Sequence, residues 1–193
     1  MRVWWRSPTR KPAVQKEGEP ALTPMQAAHR DPDADWTKKH GHTYFGYKNH
    51  VNADVTHGFI RGFAVTPASV HDSQRIEALM NITQKGQPFH GDSAYRSTAT
   101  AQRCREHGLK DRTTYKARRN QSLTKQQEQW NTARAKIRAR IEHVFARIGL
   151  FRTGKRLRCT GLARATVCIG LVNIAHNLRR RMTKRRMAGG SVR

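Results

Sequence analysis

The charge of this chain is concentrated in one part of it. Residues 113–193 hold 21 Lys and Arg against two acids, Glu128 and Glu142, whereas residues 1–112 hold 17 against 11. The first stretch nets +6 and the second +19. A surplus that dense repels itself unless an anionic partner screens it. Each phosphate neutralised by Lys or Arg releases condensed counterions, so nucleic acid is the expected partner. A disordered basic tail is excluded, because 36% of the 193 residues are apolar and four Trp, six Phe and four Tyr are among the aromatics. That is enough to bury a core. No run approaches the ~18 apolar residues of a membrane span. The opening MRVWWRSPTRKP lacks the apolar stretch and small-residue cleavage site of a secretory signal. Cys104, Cys159 and Cys168 are odd in number and show no CxxC spacing, which argues against a disulfide framework or zinc site and for a reducing compartment.

Residues 1–30 hold four of the seven prolines and read as an irregular extension. The segment DPDADW at 31–36 is turn-rich. Partial alternation over 44–54 and 59–66, around Thr56-His57-Gly58, predicts a β-hairpin ended by Pro67. A short helix is expected at 71–80, with Ser69 or Asp72 as its N-cap. A buried strand at 87–91 runs into Asp92. A helix at 97–107 is followed by Gly108, where a C′ glycine belongs. A strand at 110–116 and a basic loop at 117–120 come next. Ile137, Ile141, Val144 and Ile148 form one apolar stripe of a long helix that starts at 122 or 124 and ends at 148. The last helix spans 161–180, apolar at Leu162, Val167, Ile169, Leu171, Val172, Ile174 and Leu178, and a basic tail covers 181–193. The order of elements predicts an α/β fold with a mixed sheet over 31–180.

In so basic a chain each isolated acid needs a reason. Asp92 stands at the carboxyl end of a strand, where α/β sheets place ligands, but a turn or N-cap aspartate reads the same way. Glu142 sits among Arg134, Lys136, Arg138, Arg140 and Arg147, and the alternative for it is a helical ion pair with Arg138, worth ~0.3–0.5 kcal/mol. Together the two acids suit a pair that holds a divalent metal against a phosphodiester, with neighbouring Arg and Lys on the DNA backbone. Asp31, Asp33 and Asp35 crowd a loop, Asp54 ends a strand and Asp72 starts a helix, which makes structural roles the expectation for them. His40 and His42 lack further ligands at zinc spacing.

The stretches DADWTKKHGHTYFGYKNHVNAD, GFIRGFAVTPASVHDSQ, HGDSAYRS and RARIEHVFARIGLFR resemble the DDE transposases of bacterial insertion sequences, nearest to the group named after insertion sequence five. The resemblance runs through residues 31–180. It implies an RNase H-like fold in which Asp, Asp and Glu bind two Mg²⁺ ions and cut and join DNA. The second family Asp corresponds to Asp92, the Glu to Glu142 and the arginine of the helix motif to Arg138. Arg147 joins Arg138 as an expected DNA contact. Seven residues after Glu142, where the family often has Lys, stands Gly149. Residues 1–30 contain no Asp, so the first catalytic strand and its acid are expected to be missing. The resemblance therefore implies the carboxy-terminal part of a transposase, a truncated copy without activity. It also implies DNA ends as partner, no membrane, association with further copies, and a cytoplasmic, nucleoid-associated place in a bacterium. The rival readings are a non-enzymatic basic DNA-binding protein and a ribosomal-type basic protein.

Overall fold

A computed structural model describes residues 2–9, 21–39, 41–80, 83–117, 120–149 and 156–189. In chain order the elements are β1 (Arg2–Arg6), α1 (Pro24–Ala28), β2 (Asp35–Lys39), β3 (His42–Ala53), β4 (Ile60–Pro67), α2 (Ile76–Met80, entered through a 3₁₀ turn at Asp72–Arg75), β5 (Pro88–Phe89), α3 (Thr98–Glu106), β6 (Lys110–Asp111), α4 (Lys125–Gly149) and α5 (Leu162–Gly189). This is a mixed α/β chain. It divides into two compact units, one of residues 51–63 and 71–146, the other of residues 2–50, 64–70 and 147–193. The span 31–180 contributes to both.

The second unit is organised by β3, which is buried without interruption from Phe45 to Val51. The alternation expected of a half-exposed strand gives way to a strand covered on both faces. Its buried polar side chains Lys48, Asn49 and His50 each find a hydrogen-bond partner. Lys48 Nζ donates to the Val70 carbonyl at 2.5 Å, Asn49 Nδ2 donates to Asn173 Oδ1 at 2.9 Å, and His50 Nε2 lies 2.9 Å from Thr66 Oγ1. β2 pairs antiparallel along His42–Gly46 and β1 antiparallel along Gly46–His50, so Gly46 opposes both Asp35 and Arg6. Gly46 has φ +143°, and a Cβ there would overlap the Trp5 carbonyl oxygen, so only glycine fits. β4 also pairs with β3, through the turn in which the Asp54 amide donates to the Phe59 carbonyl.

Three expectations change here. Residues 1–30 are not irregular throughout: RVWWR forms β1, consistent with the strand preference of Val and Trp, and Thr23 caps α1 in a reciprocal capping box with Gln26. The basic tail expected from 181 continues α5 to Gly189, because Arg, Lys and Met are good helix formers. Finally, the apolar row of α5 faces out. Val167, Leu171, Ile174 and Leu178 are more than half exposed, while Ala165, Ile169, Asn173 and His176 are buried.

In the first unit Ile76, Met80, Tyr95, Cys104 and Leu109 form a core against which Phe89 packs. Ser97 caps α3 by accepting from the Thr100 amide at 3.0 Å. Gly108 follows the helix at φ +65°. The strand expected at 110–116 shortens to Lys110–Asp111, which pairs parallel with Pro88–Phe89. The Asp111 carboxylate turns the chain by accepting from the Thr113 amide at 2.8 Å. Residues 118 and 119 of the expected basic loop lie outside the described residues.

Candidate functional site

β5 delivers Asp92 to the start of a turn. Its Oδ1 accepts from the Ala94 amide at 3.0 Å and its carbonyl from the Tyr95 amide at 3.0 Å. The turn reading of Asp92 is therefore correct as far as it goes, yet Oδ2 engages no donor among the described residues. Gly91 before it lies so close to Thr113 and Tyr95 that a Cβ would sit 3.1 Å from each. This holds the turn against the segment that follows β6.

Asp92 opens on a cavity of about 110 Å³ lined also by Val51, Phe89, His90, Ile137 and Arg138. Ile137 and Ile141 of the α4 stripe thus form one wall, and Arg138 lines the same cavity as Asp92. Glu142 is one helical turn beyond Arg138 on the same side of α4 and is exposed. The helical ion pair between them is not formed. Arg147 is exposed in the last turn of α4 and belongs to the other unit. His90, which the sequence did not single out, faces the same cavity. Burial, then the nearby Arg134 and Arg112 charges, push its imidazole below its ordinary range, and its Nδ1 is buried without a partner.

The other acids serve the fold. Asp31 is fully buried and takes four donors: Ser7 Oγ at 2.6 Å, Tyr47 Oη at 2.5 Å, the Gly161 amide at 3.0 Å and the Asp33 amide at 3.4 Å. Asp33 Oδ2 accepts from the Leu162 amide at 2.7 Å, so both carboxylates cap the start of α5. Burial and the Asp31 carboxylate push the Tyr47 phenol well above its ordinary range. Asp54 is used by its own turn, accepting from the His57 amide at 2.6 Å and the Phe59 amide at 3.1 Å, with Arg61 3.9 Å away. Asp72 is buried at the head of its 3₁₀ turn, and Asp35 accepts from the Trp36 amide. His40 lies outside the described residues. Cys159 and Cys168 bring their sulfurs to 3.6 Å, a proximity that the spacing of the cysteines did not reveal, and burial with the second thiol pushes Cys159 up to about 11. Among the described residues no three His, Cys, Asp or Glu side chains gather in a way that could hold a metal ion. No helix among them is long and apolar enough to cross a membrane.

A family model described as the transposase DDE domain matches residues 22–178. The chain is similar to the transposase for insertion sequence element IS1106 of Neisseria meningitidis serogroup B, 28% identical over 173 residues that cover 86% of this chain and 60% of that protein. It thus spans about three fifths of the length of the curated relative it matches.

Proposed function

The chain belongs to the transposase DDE-domain family, and we propose that it binds the DNA of an insertion sequence through its basic surface without itself cutting or joining strands. The observation that carries this reading is the +19 excess over residues 113–193, in a chain where Asp92 lines the cavity and Glu142 is exposed on α4 outside that lining. The excess supplies phosphate contacts. Asp92 and Glu142 are the acids that the family resemblance assigns to chemistry, with Arg138 between them in the helix and on the cavity wall.

An RNase H-like arrangement is supported by β3 as a doubly buried strand with antiparallel neighbours and by the parallel pair β5–β6 at Asp92. The resemblance implies two Mg²⁺ ions on three acids. The donor set does not fit that requirement: Asp92 and Glu142 bring two carboxylates, and no group of three or more ligands occurs among the described residues. β1 pairs with β3 but consists of RVWWR and brings no carboxylate. Asp54 has its oxygens committed to backbone amides and does not replace it. What the residues do provide is a guanidinium on the cavity wall: Arg138 has the donors to contact a phosphate.

The test is DNA binding across a salt series. Log affinity should fall linearly with log salt, with a slope of about −0.9 for each phosphate neutralised on a duplex. Deleting residues 179–193 removes seven basic residues, and the slope should become shallower. A slope that does not change would place the DNA surface elsewhere. No measurable DNA binding at low salt would end the reading.

A further inference from the structure

We propose that Arg96, Arg112 and Arg134, held against Tyr115 and Trp130, form a site for a phosphodiester group of a nucleic acid strand. This rests on the reading that the chain handles DNA, and it names a place for the contact that Asp92 and Glu142 do not supply. All five residues are half-buried and belong to the first unit.

Trp130 and Arg134 are one turn apart on α4, so ring and guanidinium share a face. The Arg134 Cζ lies 3.3 Å from the Trp130 ring centroid, and the Arg112 Cζ lies 5.3 Å from it. Arg96 covers Tyr115 at 3.4 Å, and the two rings meet edge-to-face with centroids 6.1 Å apart. The platform is tied down by the backbone. The Thr113 carbonyl accepts from Trp130 Nε1 at 3.0 Å and from Arg96 Nη1 at 2.9 Å. Asn131 holds both backbone groups of Tyr115, at 2.9 and 3.1 Å, and Arg134 Nη1 donates to the Trp130 carbonyl at 2.9 Å.

Three guanidiniums therefore crowd two rings, and none forms an ion pair with a carboxylate among the described residues. Cation–π contact orients the heads without neutralising them. Arg134 Nε is buried without a hydrogen-bond partner, and the Arg112 guanidinium shows no hydrogen bond among the described residues, its cation–π contact with Trp130 aside. The unspent donors form forks that match phosphate oxygens. A lone carboxylate would also be attracted, but three uncompensated guanidiniums in a chain of net charge +25 favour a polyanionic strand, whose binding releases condensed counterions. Gly91 packs on Thr113 and its carbonyl accepts from the Thr114 amide at 3.2 Å, so the cluster adjoins the turn that carries Asp92.

The experiment uses the full chain and fluorescein-labelled DNA, a 20-base single strand and a 20-base-pair duplex, read by anisotropy over a chloride series. Arg112→Gln is the variant of choice, because the fold takes no hydrogen bond from that head. Arg105→Gln, an exposed arginine of α3, is the control for losing one charge. Arg112→Gln should weaken binding about fivefold and flatten the duplex slope by about 0.9. Arg105→Gln should stay within about twofold of the parent. Arg112→Lys keeps the charge and loses the fork, so its slope should stay and its affinity drop about two- to threefold. Inorganic phosphate at matched ionic strength should displace no more DNA than chloride does. Displacement by phosphate that Arg112→Gln abolishes would reassign the site to free phosphate and overturn the strand proposal. Equal losses in Arg112→Gln and Arg105→Gln, with the parent still binding, would overturn this site and leave DNA binding intact. A parent that binds neither DNA would overturn both.

Discussion

Asp31 and Asp92 are both aspartates in turns of a basic chain, and they have opposite fates. Asp31 is fully buried and its oxygens receive two hydroxyls and two amides. Asp92 is half-buried, gives one oxygen to the Ala94 amide and keeps the other open towards a cavity with Arg138. A saturated carboxylate is part of the fold, since its lone pairs have nothing left to give. A carboxylate with a spare oxygen beside an arginine retains the capacity to act on something else. The number of donors a carboxylate receives separates the two roles where its position in the sequence does not.

The largest expected effect is at the saturated site. Asp31→Ala strands the Tyr47 and Ser7 hydroxyls and the Gly161 amide in a buried place. It should cost about 3 kcal/mol and lower Tm by roughly 10 °C in thermal unfolding. Tyr47→Phe comes next, at about 1.5 kcal/mol at neutral pH. It also has a pH signature. The folded phenol titrates above its ordinary value of 10.0, so its contribution is complete below that pH and is lost as pH rises through the higher folded value. The parent should lose stability in alkali more steeply than Tyr47→Phe, which denaturant midpoints between neutral pH and strong alkali would read. Asp33→Ala removes one cap of α5 and should cost about 1 kcal/mol. Asp92→Asn keeps the acceptor of its turn and should stay within about 0.5 kcal/mol of the parent. A loss at Asp92 as large as that at Asp31 would break the comparison. His90 sharpens it from the other side: its depressed folded pKa makes its contribution complete above the ordinary value of 6.5 and lost on acidification, so His90→Gln should be less acid-sensitive than the parent.

Much of the first unit was legible. The stripe at Ile137, Ile141, Val144 and Ile148 predicted α4, and Ser97 and Gly108 bracketed α3, because caps and periodicity are local signals. The second unit was not legible in the same way. β1 depends on pairing with residues some 40 positions away, which RVWWR cannot announce. The burial of α5 follows Asn173, whose partner Asn49 lies 124 residues earlier, so a polar residue turns inward and Val167 and Leu171 turn out. Asp92 and Glu142 were singled out through motif context, whereas the Trp130–Arg134 platform had only an i, i+4 spacing to mark it.

Strand cleavage is the direct test of the proposal that the chain binds DNA without cutting it. The purified chain is incubated with Mg²⁺ or Mn²⁺ and a supercoiled plasmid carrying insertion-sequence ends, and products are resolved on agarose. The expected result is retarded but uncut plasmid, in the parent and in Asp92→Ala alike. Nicked or linear products that form with the parent and vanish in Asp92→Ala would contradict it, because a third ligand would then have to exist.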